Sequence, residues 1–209
     1  MDTMHLEPVK VSRQFWLLLL ALAAALWGQS GSPLVGRWHS VVTSRGGLGA
    51  IIEFHSDGVV EMSPGAVVPG PYRIENGHLI MPSGTADGSE QGRAMEWAGS
   101  DSLRLGTTLG IVLTRVGARQ DQANPILGEW REIREMGGAK LNATWIFYGD
   151  GKMLLLIPFV VQRGTYKVTG GSVSMLMEGA PASGPFSVKG DILTLPGAAG
   201  SGVSEFRRY

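Results

Sequence analysis

Apolar and polar residues alternate along most of this chain with a period of two. Ile52 and Phe54 alternate with Glu53 and His55, Tyr72 and Ile74 with Arg73 and Glu75, and Leu103 and Leu105 flank Arg104. Such alternation marks β-strands with one buried face. The breaks carry hairpin chemistry: Asp57-Gly58, Asn76-Gly77, Asp150-Gly151 and Gly170-Gly171. These residues supply the positive φ angles that tight turns need. Short strands separated by frequent turns predict an all-β antiparallel meander, as a barrel or a sandwich. One stretch is ambiguous. Glu129–Met136 spaces Trp130, Ile133 and Met136 by three, which a helical turn would also use. Strand is favoured, because the matching RWHSVVTS reads as one.

The pattern also repeats at long range. PLVGRW at Pro33–Trp38 returns as PILGEW at Pro125–Trp130. EFHSDG, ending at Gly58, matches IFYGDG, ending at Gly151, and GPYRIENG at Gly70–Gly77 matches GTYKVTGG at Gly164–Gly171. SDSLRL matches GDILTL, and Leu113-Thr114-Arg115 matches Phe206-Arg207-Arg208. Trp145 and Phe147 thereby correspond to Ile52 and Phe54. A repeat this long calls for a duplicated unit. The expected division is repeat 1 over 33–117, a polar linker over 118–125, and repeat 2 over 126–209.

The first thirty residues break the pattern. Lys10 and Arg13 flank an uncharged run from Phe15 to Trp27, and GQSGS follows. This order predicts a secretory signal helix within 1–30. The run is short of the roughly 20 residues a membrane span needs. Contact with a membrane is therefore expected only through this segment, if it stays uncleaved. The chain has no cysteine, so neither lipidation at the cleavage site nor a disulfide is available. Secreted eukaryotic domains of this size more often carry disulfides. The expected address is periplasmic or secreted, in a bacterial envelope. The 18 basic and 18 acidic residues cancel, which gives no electrostatic case for a nucleic acid partner.

Each unit begins with Gly-x-Trp, passes an aromatic-x-x-Asp-Gly hairpin and ends in Arg. In this it resembles the lipocalin-like (calycin superfamily) domains of short bacterial type, here in two tandem copies. The resemblance covers Leu34–Gly117 and Ile126–Tyr209. It implies two tandem small antiparallel up-and-down barrels after the signal helix. It also implies a first-strand Trp inside one end of each barrel, with a last-strand Arg lying across it. A lipocalin barrel is nearly twice as long as either unit, so these barrels would be shallow or incompletely closed, without a deep ligand pocket. Strand parity agrees with the Arg placement. Arg115 shares a face with Leu113 and Ile111, and Arg208 with Phe206. The expected plugs are Trp38 with Arg115 and Trp130 with Arg208, where Gly36 and Gly128 permit close backbone approach. One larger barrel shared by both repeats is the architectural alternative.

Candidate chemistry is sparse. The sequence has no phosphate loop, dinucleotide fingerprint, Gly-x-Ser-x-Gly elbow or His-Glu-x-x-His, so no catalytic residue and no cofactor is assigned. His5, His39, His55 and His78 have no counterpart in the second repeat. His39 and His55 adjoin inward aromatics and are expected to face solvent. As a metal pair they lack a third ligand, so no metal is expected. Asp57, Asp150, Asp101 and Asp191 are read as turn residues. The expected function is that of an exported non-enzymatic binding module for a small apolar ligand or a protein partner. An enzyme on the calycin scaffold (isomerase or hydrolase-like) and a purely structural envelope protein are the alternatives. The candidate ligand walls are Phe54, Tyr72, Trp97, Trp145, Phe147, Tyr166 and Phe186. Met153–Val161 is apolar on both strand faces, which predicts cover on both. Met153, Leu155 and Ile157 are the expected inter-domain or partner contact.

Overall fold

The computed structural model describes residues 31–44, 46–83, 88–106, 110–197 and 202–209. The signal helix expected over 1–30 lies outside them. The strands of the first repeat are β1 (Gly36–Ser40), β2 (Leu48–Phe54), β3 (Val59–Pro71), β4 (Arg73–Glu75), β5 (His78–Pro82), β6 (Glu90–Trp97), β7 (Ser102–Leu105) and β8 (Ile111–Val116). Those of the second are β9 (Gly128–Met136), β10 (Ala139–Phe147), β11 (Lys152–Pro158), β12 (Gln162–Thr169), β13 (Ser172–Met177), β14 (Ala180–Pro185), β15 (Ser187–Lys189), β16 (Ile192–Pro196) and β17 (Val203–Arg208). The fold is all-β, with 17 strands in antiparallel pairing and no helix among the described residues. The ambiguous Glu129–Met136 is strand, pairing with β10 from Gly128↔Phe147 to Ala139↔Met136. Ile133 and Met136 are exposed while Trp130 is buried, so the spacing of three does not define a face.

The ladders do not divide by repeat. β1 pairs with β2 and also with β17. β2 pairs with β3. β3 then serves two partners: Val59–Met62 pairs with β12, and Gly65–Pro71 pairs with β11. At the changeover, a Cβ on Gly65 would lie 2.5 Å from the Ile157 carbonyl oxygen. Only glycine lets the two backbones pass this closely. On one side, β12, β13 and β14 run as a meander, and β15, β16 and β17 return to β1. On the other, β11, β10, β9, β8, β7, β6, β5 and β4 pair in succession. The sheet is not closed into two tandem barrels, one per repeat. The first strands of each repeat lie with the last strands of the other.

The core follows the ladders. One cluster joins Tyr72, Leu79, Leu103, Leu105 and Leu113 of the first repeat to Ile126, Trp130, Trp145 and Phe147 of the second. A second joins Leu34, Trp38, Ile52, Phe54 and Val60 to Val173, Leu193, Leu195 and Phe206. A third, smaller cluster joins Val67 to Ile146, Leu154 and Leu156, with Ile51 and Tyr209 against it. This explains why β11 is apolar on both faces. Met153, Leu155 and Ile157 enter the first cluster, beside first-repeat side chains, while Leu154 and Leu156 enter the third.

Candidate functional site

Two sealed ends come from the repeated Gly-x-Trp phrase. The Trp38 indole N–H donates to the Leu34 carbonyl at 2.8 Å, and that of Trp130 to Ile126 at 2.7 Å. An arginine covers each ring, but the partners are exchanged relative to the sequence expectation. Arg208 lies 4.1 Å over Trp38, and Arg115 lies 4.1 Å over Trp130. The registers Trp38↔Arg208 and Arg115↔Trp130 set this. Parity had placed each Arg on the correct face; it carries no information about which sheet that face belongs to. Each guanidinium also ties down the loop before the Trp strand. Arg208 donates to Pro33 and Val35 carbonyls, both at 2.7 Å, and Arg115 donates to Leu127 at 3.0 Å and to Pro125. Burial lowers the pKa of Arg115, and the nearby Arg119 adds to this. Gly36 has φ +131°, and a Cβ there would collide with the Arg208 guanidinium. Both rings are buried, and the Nη donors of each arginine reach backbone carbonyls, while the buried Arg115 Nε has no hydrogen-bond partner among the described residues.

The variable residues of the two phrases meet. Arg37 grips Glu129 in a two-pronged ion pair, with Nη1 at 2.8 Å from Oε1 and Nη2 on Oε2. That bond raises the Arg37 pKa above its ordinary value, against the opposing effect of burial. The Arg37 guanidinium also lies 4.8 Å from the centre of the Tyr209 ring.

The seven aromatic candidates separate into two sets, most of them packed on one another. Phe54 meets Tyr166 edge-on at 4.9 Å, and Tyr72 meets Phe147 edge-on at 5.1 Å. The Tyr166 hydroxyl donates to His55 O at 2.8 Å, and the Tyr72 hydroxyl to Tyr148 O at 2.9 Å. Trp145 stacks on Phe147, Trp97 sits half-exposed 6.0 Å from Trp130, and Phe186 packs against the second cluster. None of the seven lines either open cleft described next.

One cleft, of about 670 Å³, opens beside the second cluster. Its walls include Ile52, Met62, Val173, Met175, Leu195 and Phe206, and among the described residues no charged side chain lines it. Sequence reasoning missed Met62 and Met175, having followed aromatic rings. The inward parity of their strands was the available signal. Another cleft, of about 630 Å³, lies between β8 and β9 and includes Arg131, Glu132 and Arg134. Glu132 is a buried carboxylate. It accepts the Trp145 indole N–H at 2.8 Å and two Arg134 hydrogen bonds at 3.0 and 2.9 Å. The sequence reading named Trp145 only as a candidate ligand wall and did not single out Glu132 or Arg134.

The histidine expectations need correction. His39 is buried, not solvent-facing. Its Nδ1 lies 3.0 Å from Ser40 O, and burial lowers its pKa. It pairs with Ile51 and Arg207, so it does not meet His55. His55 instead lies near Glu53 and Glu61, a set whose ligand atoms fall within 4.8 Å of one another. Arg163 stands 3.8 Å from Glu61, and Arg37 is the ladder partner of Glu53. Of these two carboxylates, Glu61 has an arginine ion-pair partner, whereas Arg37 is held by Glu129. Asp57 and Asp150 accept backbone N–H groups two residues on, at 3.0 and 3.1 Å, as turn residues do. Comparison with family models, with curated proteins and with solved structures found no match.

Proposed function

We propose that this chain is an exported, non-enzymatic binding module of lipocalin-like character, and that its ligand is a small apolar molecule seated in the 670 Å³ cleft. The carrying observation is the wall chemistry. Ligand pockets are concave and mostly apolar, with few polar groups. This one has two flexible methionine side chains, Met62 and Met175, that can adapt to a guest. Its serines, Ser183 and Ser204, have no histidine or carboxylate beside them in the lining, which disfavours a hydrolytic reading. Export rests on the charge and hydropathy pattern of residues 1–30.

The test is a fluorescence titration with N-phenyl-1-naphthylamine, a neutral apolar probe. The expected result is saturable one-to-one enhancement that Ala182→Trp abolishes. Ala182 is exposed on the rim of the cleft, so the added ring fills the mouth without disturbing the core. No enhancement, or enhancement that Ala182→Trp leaves unchanged, overturns the reading.

A further inference from the structure

The seam between β8 and β9 opens early. Its ladder ends at Thr114↔Arg131, although β8 runs back to Ile111 and β9 runs on to Met136. The matching seam between β17 and β1 continues one pair further, to Ser40↔Phe206, and the Val41 N–H then donates to Glu205 O. The early opening starts at Glu132, the counterpart of Ser40. Where the first repeat has Ser40, Val42 and Ile52, the second has Glu132, Arg134 and Trp145. Exchanging small or apolar groups for a buried ion pair rarely adds stability, because desolvation offsets the attraction. The exchange therefore calls for a reason other than holding the fold together.

Geometry suggests that reason. Glu132 is fixed by the Trp145 indole and holds Arg134 through Nε and Nη2. The Arg134 Nη1 has no hydrogen-bond partner among the described residues, and the side chain is 25 % exposed. Arg134 is thus an oriented cation with free donors on the cleft. Arg131, on the same lining, makes no ion pair among the described residues. The other lining acid, Glu135, lies 3.8 Å from Lys140. The uncompensated charge of the cleft is positive. Ile111, Val112 and Ile133 give it an apolar wall.

We propose that this cleft is a second binding site, separate from the apolar one, for a small amphiphile with a carboxylate head. The head sits at the opened seam on the free donors of Arg134, whose planar fork matches a carboxylate, and Arg131, on the other face of β9 at the same opening, adds positive charge. The short apolar tail lies along Ile111, Val112 and Ile133.

Calorimetric titration with octanoate, octylamine and octanol tests this. In the Ala182→Trp protein, where the apolar cleft is blocked, octanoate should bind saturably with one-to-one stoichiometry, and the other two should not. Arg131→Gln, which removes no side-chain hydrogen bond or ion pair among the described residues, should weaken octanoate at least about tenfold. Arg134→Gln should do the same, with a thermal melt checking that the protein stays folded. Ala182→Trp, which blocks the apolar cleft, should leave octanoate binding intact, so this proposal and the first stand or fall separately. Equal binding of octylamine or octanol in Ala182→Trp, an unchanged octanoate affinity in Arg131→Gln, or loss of octanoate binding in Ala182→Trp overturns the proposal.

Discussion

At the scale of the residue, the exchanged plugs give the sharpest test. Trp38 stacks under Arg208 and stands apart from Arg115 in the ladders. A double-mutant cycle in denaturant unfolding should give Trp38 and Arg208 a coupling of about 0.5–1 kcal/mol, typical of an exposed cation–π contact. Trp38 and Arg115 should be additive. The reverse result would restore the within-repeat pairing. Trp38→Ala alone should cost about 3–5 kcal/mol, because the ring is fully buried. His39 gives a pH prediction. Burial lowers its pKa, so the folded state holds its proton less tightly than the unfolded chain does. The stability tied to the neutral ring is complete above about pH 6.5, the unfolded value, and is lost as pH falls below it. The other charged group facing it is Arg207, which acts in the same direction. His39→Gln should flatten the fall in melting temperature between about pH 7 and about pH 5 relative to the native protein. An identical fall in both would remove His39 from the account.

At the scale of the element, strands and turns were legible and their assignment to sheets was not. Period-two alternation located β2, β4, β7 and β10, and the Asp-Gly and Asn-Gly pairs located the turns after β2, β4 and β10. These are local signals, set by side-chain direction and backbone φ. Which strand lies beside which is decided by long-range register, and both repeats offer nearly equivalent edges. β3 is the case in point: its two halves serve different partners, and Gly65 permits the crossing. The apolar β11 was read correctly as covered on both faces, yet alternation could not say what the covers were. The Arg37–Glu129 pair spans the same junction, with side chains 32 % and 15 % exposed. Arg37→Glu or Glu129→Arg alone should destabilise by about 1–3 kcal/mol, less than a fully buried pair would lose. The double exchange, Arg37→Glu with Glu129→Arg, should recover much of that in thermal melts. No recovery would mean the two residues do not act on each other.

At the scale of the whole molecule, the repeat boundary in sequence differs from any boundary in space. The polar segment 118–125 was read as a linker between two bodies. It instead connects β8 to β9, which are themselves paired, and its end at Pro125 accepts from Arg115. Cutting there leaves β1–β8 on one fragment and β9–β17 on the other. The fragments remain joined by the β1–β17, β3–β11, β3–β12 and β8–β9 ladders. They also share all three core clusters. Separating them would expose the interior of each, at about 25 cal/mol per Å² of apolar surface. Arg119 is exposed in this segment, so brief trypsin treatment should nick the chain after it. The nicked protein should elute from a sizing column as one species at the intact size, with both fragments in the same peak. Only denaturant should part them. Fragments that separate in native buffer would mean that each repeat completes its own sheet, and the strand exchange would be wrong.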